Sequence, residues 1–182
     1  METTGTKPIS TVLSEGQIKQ AAVLLTVSMF VPFVFHLLPS YDDASWGPRL
    51  LPIFYAPLIA AQHYKPHVSL ILAVVPPWLN HLITGAPPVP MAVLLTSELL
   101  LFSAWARFLH AKSLPGWVIG PAAYLLGKPL LILLLWLVPN LPGHQDPVGW
   151  VLNTTMIAIP GLFVLSLIGL LASRGPHRPA SA

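Results

Sequence analysis

The chain has 182 residues, of which 54% are hydrophobic and 8% charged, where an average soluble domain is about a quarter charged. So few charges cannot cover a water-facing surface, and a net charge of +3 carried by scattered single Lys and Arg residues excludes a nucleic-acid interface. With no cysteine there are no disulfides, thiolate metal sites or cysteine nucleophiles.

A helix needs about 20 largely apolar residues to cross the hydrocarbon core. Six runs approach that length: residues 20–39, 47–62, 68–83, 91–109, 117–138 and 150–172. The first exceeds the roughly 7–15 residue apolar segment of a secretory leader and lacks a small-residue cleavage site, so it is expected to persist as a span. The second and third are short and carry Pro52, Pro57, Pro76 and Pro77, which predicts tilted, broken or paired helices. Interior Gly and Pro are tolerated in the other four because neighbouring spans can satisfy the freed backbone groups. Residues 173–182 predict a short disordered tail. The expected architecture is all-α: one transmembrane domain over residues 1–182, with six helices in a single bundle.

Lys and Arg accumulate in cytoplasmic loops. With the amino terminus inside, Lys7, Lys19, Lys65, Arg107, Lys112, Arg174 and Arg178 fall in or beside cytoplasmic segments and Arg49 alone falls outside, while Lys128 lies within the fifth run. The expectation is a multi-pass protein of the cell membrane with both termini cytoplasmic.

Ionisable side chains inside spans cost about 2.5–3.5 kcal/mol each at the helix centre, so they face a cavity or a partner. His36, Asn80, His81, Asn153 and Thr154 lie near predicted outer ends, Glu98 about 10 Å below one at 1.5 Å per residue, and Lys128 near mid-span. The inner half offers mainly Thr26 and Arg107, so a pocket opening outward is expected. Glu98 and Lys128 fit either a structural ion pair or a ligand contact. His36 and His81 fit interfacial anchoring as well as binding, and Trp117 and Trp150 fit the aromatic belt, whereas Trp46 could anchor or stack on a ligand.

Other patterns fail on context. His63 and His67 have the spacing of a helical metal pair, but Pro66 separates them and no carboxylate is near, so no metal site is expected. The Asn153-Thr154-Thr155 acceptor triplet lies at or within a span. A Gly-rich phosphate loop, a nucleophile elbow and clustered carboxylates are all missing, so neither ATP hydrolysis nor a cofactor is predicted.

Phe35-His36, Trp46-Gly47-Pro48-Arg49-Leu50-Leu51-Pro52, Leu82-Ile83-Thr84-Gly85-Ala86-Pro87-Pro88 and Thr96-Ser97-Glu98-Leu99 together resemble the substrate-binding S components of energy-coupling factor transporters, most closely the cobalamin-precursor branch. The resemblance covers roughly residues 30 to 110. Two features depart from it: Ile53-Phe54-Tyr55 replaces a polar position after the Leu-Pro pair, and Ala22 with Thr26 only approximates the small-residue pattern of the first span. It implies a non-enzymatic subunit that binds a vitamin-like small molecule from the outer face, beneath the loops after the first, third and fifth spans. It also implies docking on an energy-coupling membrane subunit that carries two ATPases. The expected substrate contacts are His36, Tyr41, Trp46, Arg49, Asn80, His81, Glu98 and Asn153, with Lys128 the counter-ion of Glu98 and the loop from Tyr41 to Arg49 as a lid. The alternatives are a membrane scaffold without a ligand and a membrane-embedded lipid-modifying enzyme using Glu98 and a histidine.

Overall fold

The computed structural model describes residues 15–37 and 46–174. Within them every element is helical: α1 (Glu15–Leu37), α2 (Trp46–Leu50), α3 (Tyr55–His63), α4 (Pro66–Thr84), α5 (Val89–Ala111), α6 (Gly116–Leu137), α7 (Pro147–Ile157) and α8 (Ile159–Ser173), with a 3-10 turn at Pro52–Phe54. Three of these, α4, α5 and α6, are long and apolar enough to cross a membrane, and the bent pair α7–α8 makes a fourth if it counts as one span. In α1 the apolar stretch is shorter, Ala21–Pro32. Three or four candidate spans therefore stand among the described residues where the sequence predicts six. Leu133, Trp136, Met156 and Phe163 point outward from the bundle, as befits a membrane protein whose solvent is lipid.

The second apolar run is not one helix. Leu51 takes a left-handed conformation at φ 57°, and Pro52, which has no N–H to give, opens the 3-10 turn. The Tyr55 hydroxyl donates to the Leu50 carbonyl at 2.5 Å and ties the break together. Gly161 makes the break possible, because a Cβ there would meet the Arg49 carbonyl at 2.8 Å and the Leu51 side chain at 2.8 Å.

The sixth run, expected as one helix, bends by 61° between α7 and α8. Pro160 cannot bond the Met156 carbonyl and its ring crowds it. One turn earlier Thr154 and Thr155 return their hydroxyls to the carbonyls of Trp150 and Val151, a pattern that also bends helices.

At the centre lies α3. Ala56, Pro57, Leu58, Ala60, Ala61 and Gln62 are all buried, and α1, α4, α5 and α8 pack around them. One apolar cluster joins Phe54, Leu58, Phe102, Ile119, Tyr124 and Leu165, and a second joins Leu94, Leu131, Leu135, Leu141 and Val151. Helix α6 meets α8 without side chains intervening: Cβ atoms on Gly116 or Gly169 would collide with each other's backbone carbonyl. Gly116 and Gly120 form a small-xxx-small pair of the kind that lets helix backbones touch.

These contacts sort the helix ends. Arg107 donates to the Tyr64 carbonyl at 2.9 Å, Lys19 shares a groove with Tyr64, and Gly116 meets Ser173 and lies against Gly169, close to Gln62. Lys19, Lys65, Arg107, Lys112 and Arg174 thus gather at the Tyr64 end. The turn after α4 and the loop after α6, which leads to Asp146, meet at the opposite end.

Candidate functional site

Helices α5 and α6 run side by side, and midway along their contact Lys128 donates a charge-assisted hydrogen bond to Glu98 Oε1. The two side chains are only 8% and 14% exposed. Their neighbours along the helices belong to the two apolar clusters: Leu94 and Leu99 flank Glu98, and Tyr124 and Leu131 flank Lys128. The ammonium also lies 3.9 Å from the centre of the Tyr124 ring. Phe54 stacks edge-on against both Tyr124 and Phe102, at 5.4 and 5.0 Å between ring centres. The pair is thus seated on an aromatic floor, and each charge has the other as its principal solvation. Breaking such a buried pair costs about 3–5 kcal/mol, mostly from the charge left behind.

The remaining sequence-derived candidates lie elsewhere. Asn80 and His81 sit near the end of α4, and His81 Nδ1 pairs with the Pro87 carbonyl at 2.8 Å, closing its own turn. Thr84 bonds the Asn80 and Ala86 carbonyls in the same turn, and Gly85 ends the helix in the left-handed region at φ 73°. Trp46 and Arg49 are half-buried in α2, whose Arg49 backbone lies against Gly161. Asn153 is exposed on α7. The His36 side chain and the segment containing Tyr41 lie outside the described residues, so the lid expected over residues 41–49 is described only from Trp46 onward. His63 ends α3 and His67 lies in the first turn of α4, so the apparent metal pair is divided between two helices.

A depression of about 530 Å3 opens between the turn after α4 and the loop after α6. Pro88, Pro90 and Met91 form one wall, and Asn140, Leu141 and His144 belong to the other. The loop is shaped by Asn140 at φ 77° and by Gly143 at φ 87°, the latter beneath the Trp150 ring. His144 Nδ1 meets the Leu141 carbonyl at 3.1 Å, and Asp146 accepts from the Gly149 N–H at 3.0 Å, capping α7. Asn80 and Glu98, two of the expected substrate contacts, are not among the residues that line this depression.

Sequence reasoning missed two things. It expected mainly Thr26 and Arg107 as polar groups toward the Tyr64 end, yet Gln62, Ser69 and Ser103 are buried on that side. Among the described residues the Ser69 and Ser103 hydroxyls and the Gln62 amide have no hydrogen-bond partner, and nothing in an apolar run marks such side chains beforehand. It also passed over Asn140, His144 and Gln145, which read as an ordinary loop. The chain matches no family model, no curated protein and no solved structure.

Proposed function

We propose that this protein is the substrate-capturing membrane subunit of an importer of the energy-coupling factor type, non-enzymatic itself, taking a vitamin or vitamin precursor from the outer face. In this reading α1, the broken α2–α3 segment, α4, α5, α6 and the bent α7–α8 pair are six crossings, with both termini cytoplasmic. The observation that carries it is the opposition of the two ends. Lys19, Lys65, Arg107, Lys112 and Arg174 gather at the Tyr64 end, which the positive-inside rule assigns to the cytoplasm. The depression lies at the other end, between the loops after the third and fifth crossings. Its volume falls within the range of small-molecule sites, about 300–1,000 Å3. Prolines and Met91 would pack on a flat ring, and the Asn140, His144 and Gln145 side chains would orient its polar edge. Energy for transport would come from partner subunits that hydrolyse ATP.

The test is a titration of the purified full chain with a panel of free vitamins and cobalamin precursors, without ATP. One compound should bind, and Met91→Ala should weaken it by about 1–3 kcal/mol, the usual cost of losing a packed anchor. A folded protein that binds nothing in the panel would favour the scaffold. That second reading draws on a specific observation: Glu98 and Lys128 satisfy each other and ask for no ligand. Because the partner of Glu98 is a lysine and not a histidine, acid–base chemistry on lipid is the weakest of the three.

A further inference from the structure

Helices α1 and α4 start at the same end of the bundle and pack against each other. Both carry interior prolines, Pro32 in α1 and Pro76 with Pro77 in α4. A proline has no N–H to return to the residue four positions back, so the carbonyls of Ser28, Leu72 and Ala73 each lose their helical donor. Lys19 of α1 and Tyr64, just before α4, share a groove; counted from there at 1.5 Å per residue, Ser28 and Ala73 both lie about 13 Å into the bundle. Leu72 belongs to the apolar cluster on which Leu24 and Leu25 of α1 pack, and Ser28 follows Leu24 by one turn. The three freed carbonyls therefore fall at one level of one helix contact. Two hydroxyls fall there as well. Ser28 is 1% exposed, and Ser69, one turn before Ala73 on the same face, is 3% exposed. Elsewhere in the bundle Thr96, Ser97 and Thr155 return their hydroxyls to their own helices, at 2.7–2.9 Å. The Ser28 and Ser69 hydroxyls have no hydrogen-bond partner among the described residues. Ser103 on α5 shares that condition, but α5 has no interior proline and so no freed carbonyl of its own.

We propose that these oxygens hold a sodium ion that clamps α1 to α4. Every contributing group is a neutral oxygen, and carbonyl dipoles replace the hydration shell of a monovalent cation without help from a carboxylate. Backbone carbonyls released where a helix is interrupted inside a membrane bundle coordinate sodium in this way. Calcium and magnesium draw on carboxylates instead, and Glu98 is engaged with Lys128 between α5 and α6. Two helices in direct contact leave room for the smaller of the common monovalent ions. A bridging water is the competing occupant, since it could donate to two of the carbonyls, but it would be indifferent to the salt present. The proposal stands on the α1–α4 contact and holds equally for an importer subunit or a scaffold.

Thermal unfolding of the full chain in mild detergent, in sodium, potassium or choline chloride at one ionic strength, tests it. Sodium should raise the midpoint by roughly 5 °C at saturation, as a ligand well above its dissociation constant does, and potassium and choline should not. Ser28→Ala and Ser69→Ala should each weaken the apparent sodium affinity about tenfold, no less than the loss of an outer-shell partner costs a metal site. Ser97→Ala, whose hydroxyl is already engaged with the Val93 carbonyl, should leave it unchanged. Pro77→Ala separates the ion from general packing, because it returns an N–H to the Ala73 carbonyl: stability without sodium should rise while the response to sodium falls. Equal midpoints in sodium and potassium would overturn the proposal and leave water as the occupant, and so would a sodium response that survives Ser28→Ala intact. The comparison of salts on the unaltered chain decides the matter even if a variant fails to fold.

Discussion

Helix α6 joins its two main neighbours by opposite means. Near its amino-terminal end Gly116 and Gly120 let α8 approach until backbone meets backbone, while further along Lys128 reaches Glu98 on α5 across an otherwise apolar contact. The glycine crossing gains from close packing and sacrifices no buried polar group. The ion pair is a poor source of net stability, since two charges must be desolvated to form it, but it makes any other register of α5 against α6 costly. Proximity thus comes from removing side chains at one end and register from adding charged ones in the middle.

That contrast can be broken by substitution. The largest effect is expected from Lys128→Met, which strands Glu98: a loss of about 3–5 kcal/mol in a reversible unfolding assay. Combining it with Glu98→Gln should restore much of that loss, and strict additivity would mean that the two side chains do not couple. Next comes Gly169→Ala, whose new Cβ would collide with the Gly116 carbonyl. A loss of about 1–3 kcal/mol is expected, against no packing penalty for Gly16→Ala, where nothing lies within 4 Å. If both glycine variants were equally stable, the close crossing would be refuted.

Tyr124→Leu is expected to remove the ring beneath Lys128 while keeping a bulky apolar side chain, costing about 0.5–2 kcal/mol. The loss should vanish in the Lys128→Met background, and its persistence there would assign it to packing against Phe54 instead. The smallest effect has the opposite sign. Gly127 lies next to Lys128, but a Cβ there would make only an ordinary contact of 3.6 Å with Leu101. Gly127→Ala should therefore stabilise the protein by up to about 1 kcal/mol through helix propensity. A destabilised Gly127→Ala would mean that α5 and α6 are as tightly apposed as α6 and α8.

Much of the architecture was legible in the sequence, because a lipid environment forces long apolar runs into helices with internally bonded backbones. The helical character of all six runs and the sorting of most cations to one end follow from where apolar and basic residues fall along the chain. The number of crossings does not: the second run breaks at Leu51 and the sixth bends at Ala158. Proline marks where a helix can break, but whether it does depends on what receives the freed carbonyl and the displaced chain. Here Gly161 receives the Arg49–Leu51 backbone, a contact between segments more than a hundred residues apart.

The candidate site divides the same way. Glu98 and Lys128 stand out in the sequence because a charge in an apolar run demands a partner. Which partner each takes, and that Tyr124 lies beneath them, is decided by the packing of α5 on α6. Asn140 and His144 carry no such demand in a polar loop, and only the meeting of that loop with the turn after α4 makes a depression of them. The sequence by itself determined what must be buried in lipid and which charges could not remain alone, since transfer free energies act residue by residue. Tertiary structure alone decided which surfaces meet, since packing is a property of pairs of elements that no single run contains.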